Sequence, residues 1–404
     1  MEIFSLFITL SYLVGARQAF VMLDVAVCAK VPLGEWKAGS PTHLHEFLSG
    51  LSDQARVDAY VPYVAPGYQG EGPRIHETHS RYSNPILNMY HFSSKAQLAL
   101  LGSRHDIVHW RLDLAQELRL LGLAKGIKIA EVNGPLLEEQ ALMRRMPGPV
   151  YWAAKRELTK NLQRFDHIVT VSDELKTLYN KEYGIPAEKI SVVYNGVNPS
   201  LFRAGRYRKE ADELRNRLGI VDKKVLGFVG GLRPWHGVQN AIRMMAELKD
   251  KEAVLCVVGS GHELENMRKL AASLGLGDRV LFVGSVPYIN VPQYIEMFDI
   301  ALAPYPSSGV SNYFNPLKLF EYMAMEKPIV CGSTSWAMTF LGGDCGSIID
   351  CEDYKLFAAR VDELLSDRYL SLFLASNARR KALKKYTWES NVLGMLDVYG
   401  EIRN

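Results

Sequence analysis

Short runs of apolar, often β-branched residues alternate with stretches whose apolar positions recur at helical spacing, and in the second half of the chain this alternation is regular. Val225 to Val229 reads as a buried strand, followed by Gly230, Gly231 and a helix from about Gly237 to Leu248. Ala253 to Val258 is the next strand, closed by Gly259-Ser260-Gly261 and a helix to about Leu274. Arg279 to Val283, Ile300 to Ala303 and Ile329 to Cys331 repeat the pattern, with helices near Val291 to Met297 and Asn315 to Met325. The first half repeats the theme less cleanly, with strands near Met22 to Cys28, Ala59 to Val64, Ile107 to Trp110, Ile127 to Val132, His167 to Val171 and Ile190 to Tyr194. Apolar strands joined by helices specify an α/β fold of parallel sheets covered on both faces. The chain therefore reads as two doubly wound, Rossmann-like units in tandem, with the C-terminal ends of both sheets around one cleft.

The Asn, Gly and Pro punctuation from Asn195 to Tyr207 marks the boundary. It divides the chain into a first domain at 22–200 and a second at 201–385, with a terminal segment at 386–404. In that segment Trp388 to Arg403 forms a helix with Val392, Leu393, Leu396, Val398, Tyr399 and Ile402 on its apolar face. Residues 1–21 form an apolar extension. Its run from Phe4 to Ala16 is shorter than the roughly 20 residues of a spanning helix, and Glu2 is its only early charge. A membrane-anchoring hairpin, a first buried helix and a true start at Met22 all fit it.

Composition narrows the class. The 404 residues suit two or three domains, and 48% hydrophobic with 23% charged residues excludes a disordered, collagenous or polytopic membrane chain. Lys+Arg 47 against Asp+Glu 44 leaves a net charge of +3, too small to imply nucleic acid as a partner. The five cysteines form no CxxC or Cys/His ligand spacing, which points to a reducing, cytoplasmic compartment and no structural zinc.

Glycine clusters at strand ends bring backbone N–H groups to an anion. Gly259-Ser260-Gly261 begins like a dinucleotide fingerprint, yet Leu264 stands at its third glycine position and no P-loop occurs, which disfavours a nicotinamide site. Gly230-Gly231-Leu232-Arg233, with His236 following, offers backbone donors and a fixed cation to a phosphate; an arginine on a solvated loop is the plainer alternative. In Asn315-Pro316-Leu317-Lys318-Leu319-Phe320-Glu321, Asn315 at the N-cap and Pro316 at the first helical position aim free N–H groups into the cleft, and Glu321 is a carboxylate suited to paired hydroxyls.

In the first half, Gly39, Ser40 and His43 open a helix beyond the first strand, another anion-binding position. Arg111, Glu131 and Asn133 end strands and are candidates for hydroxyl recognition. His43, His45, His76, His79 and His91 suggest no metal, because no carboxylate or cysteine accompanies them at ligand spacing and i, i+2 positions do not share a helix face. Arg144, Arg145, Lys155, Arg156, Lys160 and Arg164 are interleaved with Met143, Met146, Val150, Tyr151, Trp152 and Leu158. This stretch suits either contact with an anionic membrane or a solvated helical face.

Taken in order, these segments resemble the retaining glycosyltransferases of family 4 (glycosyl transferases group 1), which have the GT-B fold. The resemblance covers roughly Val25 to Tyr399. VVYNGVNPSLF is similar to the family's interdomain segment, VGGLRPWHGVQNAI to its diphosphate loop, and VVGSGHE and FVGSV to strand ends of its nucleotide domain. APYPSSGVSNYFNPLKLFEYMAMEKPIV resembles its donor-binding signature, and YTWESNVLGMLDVY its terminal helix packing towards the first domain. The resemblance implies transfer of a sugar from a nucleoside diphosphate sugar to a sugar, polysaccharide or lipid-linked acceptor, in glycan or glycolipid synthesis. It implies no cofactor or metal, and a cytoplasmic enzyme that the basic stretch could bring to the inner face of the cell membrane.

It also implies donor binding by Gly231, Arg233, His236, Gly259, Val286, Asn315, Pro316, Leu317, Lys318 and Glu321, with Arg233 and Glu321 as catalytic residues. Gly39, Ser40, His43, Arg111, Glu131 and Asn133 fall on the acceptor side. Three positions depart from the family pattern. His236 stands where lysine is usual, Tyr313 replaces the first glutamate of E-x7-E, and Asn133 stands where many members carry histidine. These departures motivate an alternative, a catalytically impaired GT-B protein binding nucleotide or glycan as a partner or regulatory subunit. A sugar-nucleotide epimerase of the same architecture would need a carboxylate and histidine acid/base set that the sequence does not present.

Overall fold

The computed structural model describes residues 22–403 except 36–38, 69, 71, 81, 83 and 115–117, so the apolar run from Phe4 to Ala16 lies outside the described residues. The first sheet holds seven parallel strands: β1 (Asp24–Ala29), β2 (Arg56–Val61), β3 (Arg74–Glu77), β4 (Ile107–Arg111), β5 (Ile127–Val132), β6 (His167–Thr170) and β7 (Ile190–Val192). The second holds six: β8 (Val225–Val229), β9 (Val254–Val258), β10 (Val280–Gly284), β11 (Ile300–Ala303), β12 (Ile329–Gly332) and β13 (Ser347–Ile349).

Their orders, β3-β2-β1-β4-β5-β6-β7 and β10-β9-β8-β11-β12-β13, follow the same rule. Each sheet reverses direction once, between β1 and β4 and between β8 and β11. At such a switch point the loops leaving the C-terminal strand ends diverge and open a crevice.

Alternation sorts the apolar residues to the two faces of each sheet. In the first sheet Cys28, Trp110 and Ala130 enter one core, and Val27, Ile107 and Ile129 enter the other. In the second, Cys256, Val229 and Ala303 pack on one side, and Phe228, Val257 and Leu302 on the other. All five cysteines are buried and unpaired.

The second strand runs over Arg56–Val61 rather than Ala59 to Val64, because parallel pairing with β1 sets Asp24 opposite Arg56 and Ala26 opposite Asp58. Two strands carry no sequence signal. β3 reads Arg-Ile-His-Glu at a half-exposed edge, and β13 is only three residues long.

The chain passes between the two sheets twice. Val197 N–H donates to the Tyr386 carbonyl at 2.9 Å and Trp388 N–H to the Val197 carbonyl at 3.3 Å, so the two crossings lie side by side. A Cβ at Gly196 would lie 2.2 Å from the Thr387 carbonyl carbon, which restricts this position to glycine. Beyond the second crossing, the helix Trp388–Arg403 returns to the first sheet, burying Val392, Met395, Val398 and Tyr399 against the cluster that contains Phe47 and Ile129. Among the described residues no helix is long and apolar enough to cross a membrane.

Candidate functional site

The second sheet's switch point opens into a pocket of about 670 Å³, within the size range of small-molecule sites. Its floor is two strand-end glycine loops. Gly230 at φ +136° and Gly259 at φ +139° are in conformations that disfavour side chains, and a Cβ on Gly259 would lie 2.0 Å from the Gly230 carbonyl oxygen. The loops therefore pack as bare backbone.

Of the sequence-derived donor residues, Gly231, Arg233, His236, Gly259, Val286, Pro316, Leu317, Lys318 and Glu321 all line this pocket. Asn315 does not. Its Oδ1 accepts the Asn195 N–H at 2.9 Å and its carbonyl accepts the Asn195 side-chain amide at 2.9 Å, so it secures the first crossing. The helix begins at Leu317 with Pro316 as N-cap, one residue later than the expected Asn315 cap, because Asn315 spends its side chain on Asn195 rather than on capping.

The helix Leu317–Ala324 is held to the end of β8 by Val229 N–H donating to the Tyr322 hydroxyl at 2.7 Å. That anchoring fixes Lys318 and Glu321 beneath the glycine loops. The Lys318 ammonium lies 4.3 Å from the Phe228 ring centroid and 5.0 Å from that of Tyr305, and has no hydrogen-bond partner. Burial pulls it down to about 7, against the pull of Glu321. Burial likewise raises Glu321 to about 7, opposed by the Tyr288 hydroxyl, which donates to its Oε1 at 3.0 Å, and by Lys318. Tyr288 was not anticipated; its only sequence signal is its place in the loop after β10.

His236 is fixed differently. Its Nδ1–H donates to the Gly231 carbonyl at 2.5 Å, and burial together with Lys318 holds the imidazole well below its ordinary value. Arg233 leans across the cleft, with Nη1 3.2 Å from Sδ of Met143 on the first-half helix Leu136–Arg144. Tyr313, in the place of the family's first glutamate, also faces the first half. Its ring packs on that core and its carbonyl accepts the Ser172 hydroxyl at 3.1 Å.

The acceptor-side residues gather at the other switch point, where most of their polar atoms bond to one another and Asn133 Oδ1 is left without a partner. Glu131 Oε1 accepts from His43 Nε2 at 3.0 Å and from the Asn133 amide at 2.8 Å, while Oε2 accepts from His109 Nε2 at 3.0 Å. His109 Nδ1 in turn meets the Tyr399 hydroxyl at 2.8 Å, and the His43 ring lies on Trp388 with centroids 5.0 Å apart. Arg111 donates to the Ser40 hydroxyl at 3.1 Å and carbonyl at 3.3 Å, where Gly39 and Ser40 begin the helix Gly39–Ser52.

Burial alone would raise Glu131, but His43, Arg111 and the imidazole hydrogen bonds hold it well below the usual carboxylate range. Glu131 is 3% exposed and His43 4%, and their hydrogen bonds are made to one another and to His109 and Asn133. They form an internal hub because both are sealed under the terminal helix. Asn133, partly exposed beside that hub, remains at the cleft edge.

Two other expectations change. His76 does meet a carboxylate, Asp58 Oδ1 at 2.7 Å, brought from the adjacent strand rather than by sequence spacing. One group among the described residues, Asp24, Asp58 and His105, could hold a cation, but it lies at the N-terminal strand ends, away from both switch points. The basic stretch splits over two helices, Leu136–Arg144 and Gly148–Leu162. Leu158 is buried, while Leu142, Met143, Val150 and Trp152 are exposed.

Comparison with known proteins agrees with this architecture. Residues 38–201 match the family model "Glycosyltransferase Family 4" and residues 210–386 match "Glycosyl transferases group 1". A D-inositol 3-phosphate glycosyltransferase of Thermobispora bispora is 28% identical over 327 residues, covering 74% of this chain and 71% of that protein. An uncharacterized glycosyltransferase of Methanocaldococcus jannaschii is 28% identical over 235 residues, 57% of this chain and 59% of its own. With a teichuronic acid biosynthesis glycosyltransferase of Bacillus subtilis, described as putative, identity is 32% over 42% of this chain and 41% of that protein. The chain thus spans about half the length of these last two relatives.

The crystal structure of HepE from Anabaena with UDP and glucose superposes with a TM-score of 0.75 at 16% identity, covering 94% of this chain and all of that one (100%). WaaG, a glycosyltransferase of lipopolysaccharide biosynthesis, gives 0.70 at 17%, covering 93% and 99%. At such identities the likeness is one of fold. With both halves matched in order, and two sheets meeting at paired switch points, the chain belongs to the family 4 glycosyltransferases of group 1, built on the GT-B fold.

Proposed function

We propose that the protein is a retaining glycosyltransferase that moves a sugar from a nucleoside diphosphate sugar to a hydroxyl of a glycan or glycolipid acceptor. The observation that carries this reading is the second-sheet pocket, where bare glycine backbone, a helix start and the Glu321 carboxylate converge at a switch point. In this reading the glycine loops and the start of the helix Leu317–Ala324 take the diphosphate, Arg233 adds a cation from the rim, and Glu321 accepts from ribose hydroxyls.

The chemistry asked of the protein is modest. The bond from the anomeric carbon to the diphosphate breaks, the acceptor oxygen bonds to the same face of that carbon, and the acceptor's proton leaves on the departing phosphate oxygen. Protein groups stabilise charge that grows on the leaving group, by donors already in position. That account needs no protein general base, which fits a Glu131 already committed to two imidazoles. Asn133 and Arg111 remain as the acceptor-side groups nearest the cleft.

A panel of UDP-, GDP- and ADP-sugars, assayed for hydrolysis and for transfer to simple glycosides and lipid-linked sugars, tests the reading. Turnover of one donor with the anomeric configuration kept supports it; no turnover of any donor, or an inverted product, overturns it.

The exposed Leu142, Val150 and Trp152, set among the exposed Arg144, Arg145 and Arg156, support peripheral contact of a cytoplasmic enzyme with an anionic membrane. Sedimentation with phosphatidylglycerol vesicles, but not with phosphatidylcholine vesicles, is the expected result.

A further inference from the structure

Two side chains compete for one task in the pocket. A diphosphate carries more charge than Arg233 neutralises alone, and the two remaining basic side chains of the donor residues lining the pocket are His236 and Lys318. Their geometry separates them. The His236 Nδ1–H is committed to the Gly231 carbonyl at 2.5 Å, so the neutral ring turns only a bare Nε2 lone pair outward. A lone pair repels phosphate oxygens. Charging this imidazole would cost more than usual, because burial, Lys318 and Arg233 all oppose it.

Lys318 shows the opposite pattern. Lys318 lines the pocket, and its Nζ is buried with no hydrogen-bond partner, although an ammonium has three donors to satisfy. Aromatic faces of Phe228 and Tyr305 flank it. The loop above has been cleared for it, since a Cβ on Gly230 would lie 2.9 Å from Lys318 Cε and 3.0 Å from Nζ. A buried, unpaired amine is costly in the empty protein and is retained where a ligand completes it.

Resting on the nucleotide-sugar reading above, we propose that Lys318, and not His236, is the second phosphate-binding cation, and that its positive charge is completed by a proton taken up as the diphosphate arrives. The step is Lys318 –NH2 plus H⁺ giving –NH3⁺, which then donates to a phosphate oxygen. The other titratable groups facing it are Glu321 on its own helix, Cys331 on β12, and His236 beyond the β8 loop. Glu321 and, less strongly, Cys331 favour the charged amine, and burial outweighs both, leaving the amine at about 7. The amine is therefore part-protonated in the empty pocket at neutral pH.

The test is calorimetric titration of the full chain with UDP, GDP and ADP and with the matching nucleosides. Lys318→Met should weaken the best-bound diphosphate by at least about tenfold while changing nucleoside affinity less than about threefold, the size of one charge-assisted contact. His236→Gln should change diphosphate affinity less than about threefold. Wild-type diphosphate affinity should fall as pH is raised from about 7 to about 8.5, with the nucleoside flat over the same range. The unliganded melting temperature of Lys318→Met should exceed that of wild type, because an unpaired buried amine has gone.

Unchanged diphosphate binding by Lys318→Met, or an equal loss for nucleoside and diphosphate, overturns the proposal. So does a wild-type affinity that is level across the pH range, a measurement that needs no variant. If no diphosphate binds the wild type at any pH, the nucleotide-sugar reading itself falls and this proposal with it; diphosphate binding without Lys318 dependence removes the proposal alone.

Discussion

The two switch points are built from the same strand order and treat their polar groups in opposite ways. In the first half, Glu131, His43, His109, Asn133 and Tyr399 bond to one another and leave little for a ligand. In the second, Lys318 is short of partners and Glu321 holds one hydroxyl, among glycine loops with no side chains to fill the space. A charged cluster whose ions are all paired without ligand acts as scaffold, with only the Asn133 amide oxygen left over here, whereas one that keeps a buried amine unpaired at a cost is a binding site. The sequence candidates in the two halves looked alike; hydrogen-bond accounting distinguishes them.

The sharpest way to break this contrast is to remove a charge from each side. Glu131→Ala leaves two buried imidazoles and the Asn133 amide without their acceptor, and should cost roughly 3–5 kcal/mol of unfolding free energy by urea denaturation. Lys318→Met should instead stabilise the empty protein. If both variants shift stability in the same direction, the contrast between scaffold and site is wrong.

Activity gives the next largest effect. Arg233→Ala and Glu321→Ala should each lower transfer by at least about tenfold, with unliganded melting temperatures close to wild type. Near-wild-type turnover in both would remove the donor-site assignment. Gly230→Ala should lower transfer as much, since its methyl group would displace Lys318, and should also lower the melting temperature because φ +136° disfavours a side chain.

The pH responses fall in separate windows. Glu131 sits well below its ordinary 4.5, so the folded protein binds that proton less readily than the unfolded chain. Its stabilisation is present above 4.5 and lost as pH falls through the depressed value. Lys318 is lowered from 10.5 to about 7, so the unliganded protein should gain stability as pH rises between those values. Lys318→Met should erase that alkaline gain, and saturating diphosphate should reduce it; thermal melts across pH measure both. The smallest effect is expected of Ser172→Ala, which removes the hydroxyl's bond to the Tyr313 carbonyl and its capping of the Leu175 N–H at the start of the helix Asp173–Tyr183, about 1–2 kcal/mol together.

Much of this architecture was readable in the amino-acid order because parallel strands are buried on both faces and appear as apolar runs; β5, β8 and β11 begin and end where those runs do. β3 was invisible because an edge strand with Arg74, His76 and Glu77 has no such run. The donor pocket was legible for a local reason: its residues cluster at a few strand ends and one helix start. The Glu131 hub was not, since His43, His109 and Tyr399 reach it through strand pairing and the returning terminal helix, from sequence distances that no spacing rule covers. Lys318 was visible as a residue but not as an amine without a partner, because that property belongs to the cavity around it.

The paired crossings at Gly196 and Thr387 have a mechanical consequence. A single tether would let one half swivel on the other about any axis, and would set no preferred direction of travel. Two strands bonded edge to edge form a ribbon, which folds readily across its thin dimension and resists twisting or shear in its plane. Any rotation between the halves is thereby biased towards bending across that ribbon, and such a bend would change the distance between Arg233 and Met143.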